Sequence, residues 1–319
     1  MLSNDLTTWG MKIPIFGAPM SPMSGGKLAA AISNAGGLGM IGVSSAQPVE
    51  QLERDVAEAR ALAPGRPFGV GLMVWALERR PDLFEATLAA KPDVVALSFG
   101  DPAAFAPRAR ERGIRVVAQV QDRRSAETAE AAGVDAVVAQ GTEAGGHTGG
   151  VGTLPLLQIV LEAVRVPVIA AGGIATGRGL AAVLAAGAQA AWIGTPLLVA
   201  EEARNSARAR EVLLAARETD TVHTSVFDVA QDIPWPRAFP GRALVNDFTR
   251  RWHGHEADLA RDDDAKGALR RAKQAEAYES AFLYAGQSVG LLERVEPAAA
   301  IVDRIVRDAE ACLRRIQSL

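Results

Sequence analysis

The strongest constraint on the fold is a series of eight short apolar runs separated by segments with helical periodicity. The runs cover residues 13–18, 38–41, 68–73, 94–97, 116–120, 136–139, 168–171 and 190–193. Between them, apolar side chains recur at the spacing of one helix face, as at Leu28, Ala31, Ile32 and Ala35. Eight alternations of strand and helix predict an α/β fold, a closed (β/α)8 TIM barrel. Such a barrel needs about 250 residues. The chain of 319 residues therefore has room for an appendage, and two domains of ordinary size remain the alternative.

Composition and charge exclude several classes of protein. The chain is 49% hydrophobic but only 5% aromatic, which suits helices packed against buried parallel strands. The net charge is −3 and both signs are interspersed, so there is no basic stripe for nucleic acid or for an anionic membrane. A single cysteine, Cys312, excludes an internal disulfide and fits a reducing compartment. Since the first residues, with Asp5, do not resemble a secretion signal, we expect a cytoplasmic protein.

One apolar stretch, residues 179–200, reaches the length of about 18 residues that a membrane span requires. Gly187 and Gln189 divide it into a helix and a strand. Thr195 and Pro196 follow, and they resemble a helix N-cap with proline at the first helical position. We therefore interpret the stretch as helix, strand and helix.

The barrel pattern stops after the eighth strand. Three segments follow: a charged helical stretch at 201–218, a loop at 233–242 that carries prolines and Trp235, and a helix-rich region to about residue 284. They predict a smaller helix-rich cap inserted after strand eight. The last helix, 297–316, should pack back on the barrel with Cys312 in the core. The predicted units are the barrel at 1–200, the cap at 201–290 and the C-terminal helix at 291–319.

Glycines mark both the helix ends and the predicted mouth of the barrel. Gly36, Gly113, Gly133 and Gly187 stand where helices should stop. The segment 37–42 matches the dinucleotide fingerprint G-x-G-x-x-G, but it follows a helix and enters a strand, which is the wrong context.

Two further glycine turns end the seventh and eighth strands and lead into helices. Gly172 and Gly173 belong to the first turn, and Gly194 and Thr195 to the second. Backbone N–H groups and helix N-termini on adjacent turns form a phosphate cradle, whereas the plainer alternative is ordinary turn glycine. Active sites of such barrels lie at the C-terminal strand ends, so we expect the site here.

His147 is the strongest candidate for chemistry. It follows the sixth strand in a glycine-rich loop, and an imidazole of ordinary pKa near 6.5 exchanges protons at neutral pH. The alternative is a surface histidine without function. His253 and His255 lie in a charged stretch without a third ligand, so we expect no metal site. Met20, Met73, Trp75 and Trp235 are candidates for an apolar wall around a ligand, or plain core.

Five segments carry a resemblance to a known family. They are Gly-Ala-Pro-Met at 17–20, Gly-Gly-Leu-Gly at 36–39, the segment 140–149 with His147, Ala-Ala-Gly-Gly-Ile at 170–174 and Tyr-Ala-Gly-Gln-Ser-Val-Gly at 284–290. With these segments the chain resembles the nitronate monooxygenases, formerly 2-nitropropane dioxygenases, which are FMN-dependent barrels. The resemblance implies that His147 is the catalytic base. By motif, it places FMN contacts at Ala18, Pro19, Met20, Gln140, Gly145, Gly172, Gly173, Trp192, Ile193, Gly194 and Thr195.

The implied reaction is the oxidation of alkyl nitronates, and of nitroalkanes, by O2 to a carbonyl compound and nitrite. Small-molecule substrate and O2 would be the partners, without nucleic acid or membrane, and a homodimer is left open. The histidine segment also occurs in FMN-dependent enoyl-acyl-carrier-protein reductases and NAD(P)H:quinone reductases, so electron transfer from NAD(P)H is the alternative. A third hypothesis is a flavin- or phosphate-binding protein without catalysis.

Two positions depart from the family pattern. The third strand reads Gly69-Val-Gly71 where Gly-Val-Asn is frequent, which removes one polar flavin contact. The fourth strand ends Ser98-Phe99, without the histidine that characterised bacterial members often carry there. These changes, together with the cap around Trp235, bear on the substrate rather than on the fold.

Overall fold

The structure, a computed structural model, describes the backbone of residues 8–317 and the side chains of residues 8–315. The N-terminal segment with Asp5, which carried the prediction about secretion, lies outside the described residues. The strands are β1 (Ile15–Gly17), β2 (Gly39–Gly42), β3 (Phe68–Met73), β4 (Val94–Ser98), β5 (Arg115–Val120), β6 (Ala136–Gln140), β7 (Gly146–His147), β8 (Val168–Ala171), β9 (Ala190–Ile193), β10 (Thr221–Thr224) and β11 (Gly241–Leu244). The α-helices are α1 (Gly26–Asn34), α2 (Val49–Leu62), α3 (Val74–Leu77), α4 (Pro81–Ala90), α5 (Ala106–Glu111), α6 (Arg123–Ala131), α7 (Thr153–Ala163), α8 (Gly177–Ala185), α9 (Ala207–Ala215), α10 (Val226–Ala230), α11 (Asp247–Trp252), α12 (Glu256–Leu259), α13 (Asp263–Gln274) and α14 (Ala298–Gln317).

Eight parallel strands form the barrel in the order β1-β9-β8-β6-β5-β4-β3-β2. A parallel bridge between Phe16 and Leu38 joins the two outer strands, β1 and β2. The predicted (β/α)8 barrel is therefore confirmed. Three of the eight predicted strands have the observed bounds, and the other five differ by one or two residues at an end. The four glycines predicted to stop helices all have positive φ, which glycine adopts without steric cost.

Alternate residues along each strand divide the core into two layers. Val138 faces the barrel interior with Phe16, Ile169 and Trp192, whereas its neighbour Val137 packs outward against the helices. Phe16 and Trp192 stack with ring centroids 6.2 Å apart, so side chains fill the interior. Because a filled barrel is not a pore, a ligand must bind above the C-terminal strand ends.

The cap contains a small sheet, which was not predicted, as well as the predicted helices. β10 and β11 pair antiparallel, and β7 joins them as the third strand. Helices α10 to α13 pack around them with a separate apolar core that includes Phe227, Phe248, Trp252 and Leu269. The sheet escaped the sequence pattern because β7 has only two residues and its partner strand lies about 95 positions later. The domain boundaries remain a prediction.

The apolar stretch at 179–200 contains the end of α8, then β9 and a 3-10 helix, Thr195–Val199. The prediction of three elements holds, but the last is a 3-10 helix and Gly194, not Thr195, precedes it as the cap residue. In the described part of the chain, no helix is both long and apolar enough to cross a membrane. Helix α14 packs on α8 and α1 and closes the barrel from outside.

Candidate active site

His147 is held on a strand, not in a free loop, which corrects the sequence prediction. In β7, His147 pairs with Gly241 and Gly146 pairs with Arg242 of the cap strand β11. From the barrel side, the Gln140 amide donates a hydrogen bond of 3.0 Å to the backbone carbonyl of His147. The barrel and the cap thus fix the backbone of His147 from opposite sides.

The imidazole of His147 forms a close pair with Asp228 of helix α10. Its Nε2 lies 3.0 Å from both carboxylate oxygens, and the side chains are only 9% and 6% exposed. A carboxylate accepts hydrogen bonds, so Nε2 carries the proton in the neutral imidazole. Nδ1 makes no hydrogen bond to any residue from 8 to 315. The pair therefore leaves Nδ1 with a free lone pair, the state that a general base requires.

Tyr284, on the segment between the cap helices and the last helix, contacts both members of the His147–Asp228 pair. Its ring centroid lies 5.5 Å from that of His147, and its hydroxyl is hydrogen-bonded to Asp228. Burial, followed by the negative charge of Asp228, raises the pKa of Tyr284 well above its usual value. The phenol stays protonated and donates to Asp228. In the sequence, Tyr284 stands out only as the first residue of a motif. Asp228 was not predicted, because it lies in a short helix without any recognisable motif.

Four aromatic side chains form a connected cluster beside the His147 ring, and we call them the aromatic wall: Trp75, Phe99, Trp235 and Phe239. Trp235 stacks on His147 with centroids 3.5 Å apart and ring planes within 9°. Trp235 also contacts Trp75 and Phe99 at 5.0 Å each, and Phe239 lies 5.4 Å from Phe99. The structure therefore brings together Trp75 and Trp235, as the sequence suggested, and adds Phe99 and Phe239. Met20 lies outside this cluster, partly buried beside the barrel core and close to Gly194.

Buried charges near His147 are used to hold its segment in place. Arg242 donates to the carbonyl and hydroxyl of Thr142 and to the Thr221 hydroxyl. Burial lowers its pKa, and the nearby Glu143 opposes that effect. The Glu143 carboxylate accepts the backbone N–H and the hydroxyl of Thr153 at the start of α7. These groups are engaged within the protein, whereas Nδ1 of His147 has no hydrogen-bond partner among the described residues.

The glycine turn after β8 has the geometry of an anion cradle. Gly172 and Gly173 have φ of 105° and 71°, values that disfavour any residue with a Cβ. The Gly173 N–H has no hydrogen-bond partner within the part of the chain that the structure describes, whereas the Gly172 N–H belongs to the β8–β9 ladder, in which Ala171 pairs with Trp192. On the neighbouring turn, the Thr195 hydroxyl accepts a hydrogen bond of 3.0 Å from the Gly286 N–H. One unpaired donor, the Gly173 N–H, therefore remains available for a ligand at the end of β8.

The residues that the resemblance assigned to FMN lie along four adjacent strands, β6, β8, β9 and β1. Gln140 ends β6, Gly172 and Gly173 follow β8, Trp192 to Thr195 cover the end of β9, and Ala18 to Met20 follow β1. Ala18, Pro19, Met20 and Gly194 are partly exposed, whereas Trp192 and Ile193 are buried in the strand. Gly145 lies against Ala285 and Gly286, where a Cβ would come within 2.6 Å of backbone atoms. The arrangement suits a flat ligand with a phosphate, and each contact remains a prediction.

Gly71, where the family pattern often has asparagine, is explained by Pro19. A Cβ placed on Gly71 would lie 2.4 Å from the Cβ and Cγ of Pro19. No side chain fits at position 71 unless Pro19 moves, so glycine at position 71 and proline at position 19 are sterically coupled. At the other departure, Phe99 has φ of 61°, a left-handed conformation that is rare for a bulky aromatic residue.

His223 ties the cap to the histidine segment and predicts a pH effect on stability. Its Nε2 lies 2.7 Å from the carbonyl oxygen of Pro240 and 3.0 Å from the Thr148 hydroxyl. Burial lowers the pKa of His223, against the opposing effect of the Pro240 hydrogen bond. The unfolded chain therefore binds the proton first, and this contribution to stability, full above about pH 6.5, declines as the pH falls. In urea unfolding, the free energy of unfolding of His223→Gln should fall less between pH 7 and 5 than that of the parent protein. An equal fall would contradict the contribution of His223 to the pH dependence of stability.

Comparison with known proteins matches this fold and this histidine segment to one family. The nitronate monooxygenase family model matches residues 4–308. The chain belongs to the nitronate monooxygenase family. It is 31% identical to a nitronate monooxygenase of Paraburkholderia phytofirmans, over 97% of this chain and 95% of the relative. Members of this family are oxidoreductases, and this chain is an enzyme of that kind.

Two solved structures show the same fold at similar identity. The nitroalkane oxidase from Streptomyces ansochromogenes superposes with a TM-score of 0.84 and 30% identity, covering 98% of this chain and 100% of that one. FabK from Thermotoga maritima gives a TM-score of 0.86 and 30% identity, covering 100% and 99%. The similarity of this family member therefore extends to the cap as well as the barrel.

Proposed function

We propose that this nitronate monooxygenase family member oxidises alkyl nitronates, and nitroalkanes after deprotonation, with FMN and O2, to carbonyl compounds and nitrite. The overall reaction balances when two nitronate anions and one O2 give two carbonyl compounds and two nitrite anions. The observation that carries the proposal is the His147–Asp228 pair at the barrel mouth, with Nδ1 of His147 free to accept a proton. The family match supports the same substrate class.

The role of the pair follows from its geometry. For a neutral nitroalkane, Nδ1 of His147 takes the proton from the carbon next to the nitro group. The positive charge that develops on the ring is stabilised by Asp228, 3.0 Å from Nε2. Tyr284 holds the carboxylate through its own hydrogen bond. A preformed nitronate lacks that proton, so it does not need this step.

The residues present fit FMN. The turn at Gly172 and Gly173 would bind the phosphate, with the Gly173 N–H as a donor, and residues Ala18 to Met20 with Gly194 would border the ring system. When bound, FMN supplies the electron acceptor for the nitronate and the donor for O2. The protein orients the substrate and controls the proton.

Replacement of Gly172 tests the cradle. In Gly172→Ala the new Cβ lies 2.7 Å from the Thr153 hydroxyl and 2.9 Å from the Gly141 carbonyl, at φ of 105°. We expect a loss of about 1–3 kcal/mol in stability and FMN-depleted protein. Gly113→Ala is the matched control, because Gly113 also has positive φ but nothing lies within 4 Å of its Cβ. FMN content is measured by absorbance. Full FMN occupancy in both variants would contradict the assignment of this turn as the phosphate site.

Anaerobic addition of electron donors tests the reaction. We expect an alkyl nitronate to bleach the flavin absorbance of the purified holoenzyme and NADH to leave it unchanged over the same time. The similarity to FabK favours the second candidate, in which NAD(P)H is the donor and a quinone or an enoyl thioester the acceptor. Rapid bleaching by NADH alone would establish that candidate instead, and no bleaching by either donor would favour a flavin-binding protein without catalysis.

A further inference from the structure

The aromatic wall borders the place where a substrate must meet His147. Its rings come from separate parts of the chain, namely the start of α3, the end of β4 and the cap segment 233–240. All four side chains are partly exposed rather than buried. They therefore present apolar surface to the mouth of the barrel, beyond what the hydrophobic core needs.

The aromatic wall lies close enough to His147 to contact a substrate bound beside the imidazole. Trp235 covers one face of the imidazole at 3.5 Å, and Phe99 meets the ring edge-on at 6.3 Å. Because Trp235 and Phe99 both contact this ring, a substrate that approaches the imidazole meets aromatic surface. The charged group that contacts His147 is Asp228, which is already engaged with Nε2 and with Tyr284.

The backbone conformation of Phe99 indicates that the position of its ring is functionally important. A left-handed φ of 61° is unfavourable for an aromatic residue, and such strain concentrates at functional sites. Phe99 contacts both Trp235 and Phe239, so it anchors the cap segment to the end of β4. Together with Trp75, which also contacts Trp235, Phe99 connects the barrel to the cap segment.

We propose that the site selects substrates whose carbon chain is long and apolar over substrates that carry a second charge, such as a terminal carboxylate. This inference rests on the proposed function and names its substrate class. Each methylene that packs on the rings should improve kcat/KM roughly fourfold until the wall is covered. A carboxylate at the chain end would lose its hydration against aromatic rings and should be disfavoured.

Arg237 is the group that could reverse this preference. It lies between Trp235 and Phe239, is exposed, and makes no hydrogen bond or ion pair with any described residue. It is also the one charged residue of the cap segment 233–240. If substrates were anionic at both ends, Arg237 would be their anchor, and the experiment must separate the two cases.

Equilibrium binding gives a readout independent of turnover. A carboxylate has the shape and charge of a nitronate but is not oxidised, so butanoate, octanoate and octanedioate serve as probes of the holoenzyme by calorimetry. We expect octanoate to bind at least tenfold more tightly than butanoate, and octanedioate to lose most of that gain. In steady-state assays, kcat/KM for 1-nitronates of butane, hexane and octane should rise in the same order.

Variants separate the wall from the anchor. Trp235→Leu should flatten the dependence on chain length, Trp235→Phe should keep most of it, and Arg237→Gln should leave it unchanged. Equal affinity for the short and long probes would overturn the proposal, as would tighter binding of octanedioate that Arg237→Gln abolishes. If nitronates fail to reduce the flavin, the proposed function falls, while the binding series still reports whether the wall prefers apolar chains.

Discussion

His147→Asn should lower turnover of neutral nitroalkanes by about 10²- to 10⁴-fold, the contribution expected of a general base. Turnover of preformed nitronates should fall far less, because they need no deprotonation. Asparagine keeps a polar side chain of similar size but cannot accept a proton at neutral pH. The measurement is kcat and kcat/KM for one nitroalkane and its own nitronate, with FMN content determined for each preparation.

His253→Asn is the control for the histidine assignment, since His253 is a half-exposed cap residue away from the pair. It should leave both substrates unaffected. An equal loss on nitroalkane and nitronate in His147→Asn would show that His147 holds the ligand or the fold, and the assignment as base would fail.

Asp228→Asn should also lower turnover of nitroalkanes much more than turnover of nitronates. Asp228 is a positioning residue, which acts through His147. The amide that this substitution introduces can donate a hydrogen bond to Nε2, which favours the tautomer with the proton on Nδ1. Nδ1 then cannot accept a proton, and kcat for nitroalkanes should fall roughly 10²- to 10⁴-fold, as expected for a wrong tautomer. KM and FMN content should change little, because Asp228 reaches the substrate only through the imidazole.

Asp258→Asn is the matched control, because Asp258 is an exposed cap carboxylate paired with Arg261. It should behave as the parent enzyme. A purely structural role of Asp228 predicts a different result, namely a lower melting temperature with equal losses on nitroalkane and nitronate. Tyr284→Phe, which removes the hydrogen bond to Asp228, should show a smaller loss of the same selective kind.

Much of the site could be predicted from local sequence. Strands β8 and β9 read as continuous apolar runs because both faces of a barrel strand are buried, and the glycines after them mark turns with positive φ or close packing. The location of His147 at the mouth followed from the same logic, since active sites collect at C-terminal strand ends. The residues assigned to FMN came from resemblance and remain to be tested.

The cap resisted prediction because its contacts are long-range. Asp228 is 81 positions from His147, and the strand that pairs with β7 is further still. Nothing in the sequence around Asp228 distinguishes it from other cap carboxylates, and the environment that sets its role is built by the folded chain.

The barrel, its polarity and the position of a histidine at its mouth follow from local sequence, because strands buried on both faces read as apolar runs and helices buried on one face repeat about every 3.6 residues. The state of that histidine follows from the tertiary structure. It placed Asp228 on Nε2, stacked Trp235 on the ring and left Nδ1 free. These contacts depend on which distant segments pack together. The free energy of that packing is a property of the assembled cap and barrel rather than of any local sequence pattern.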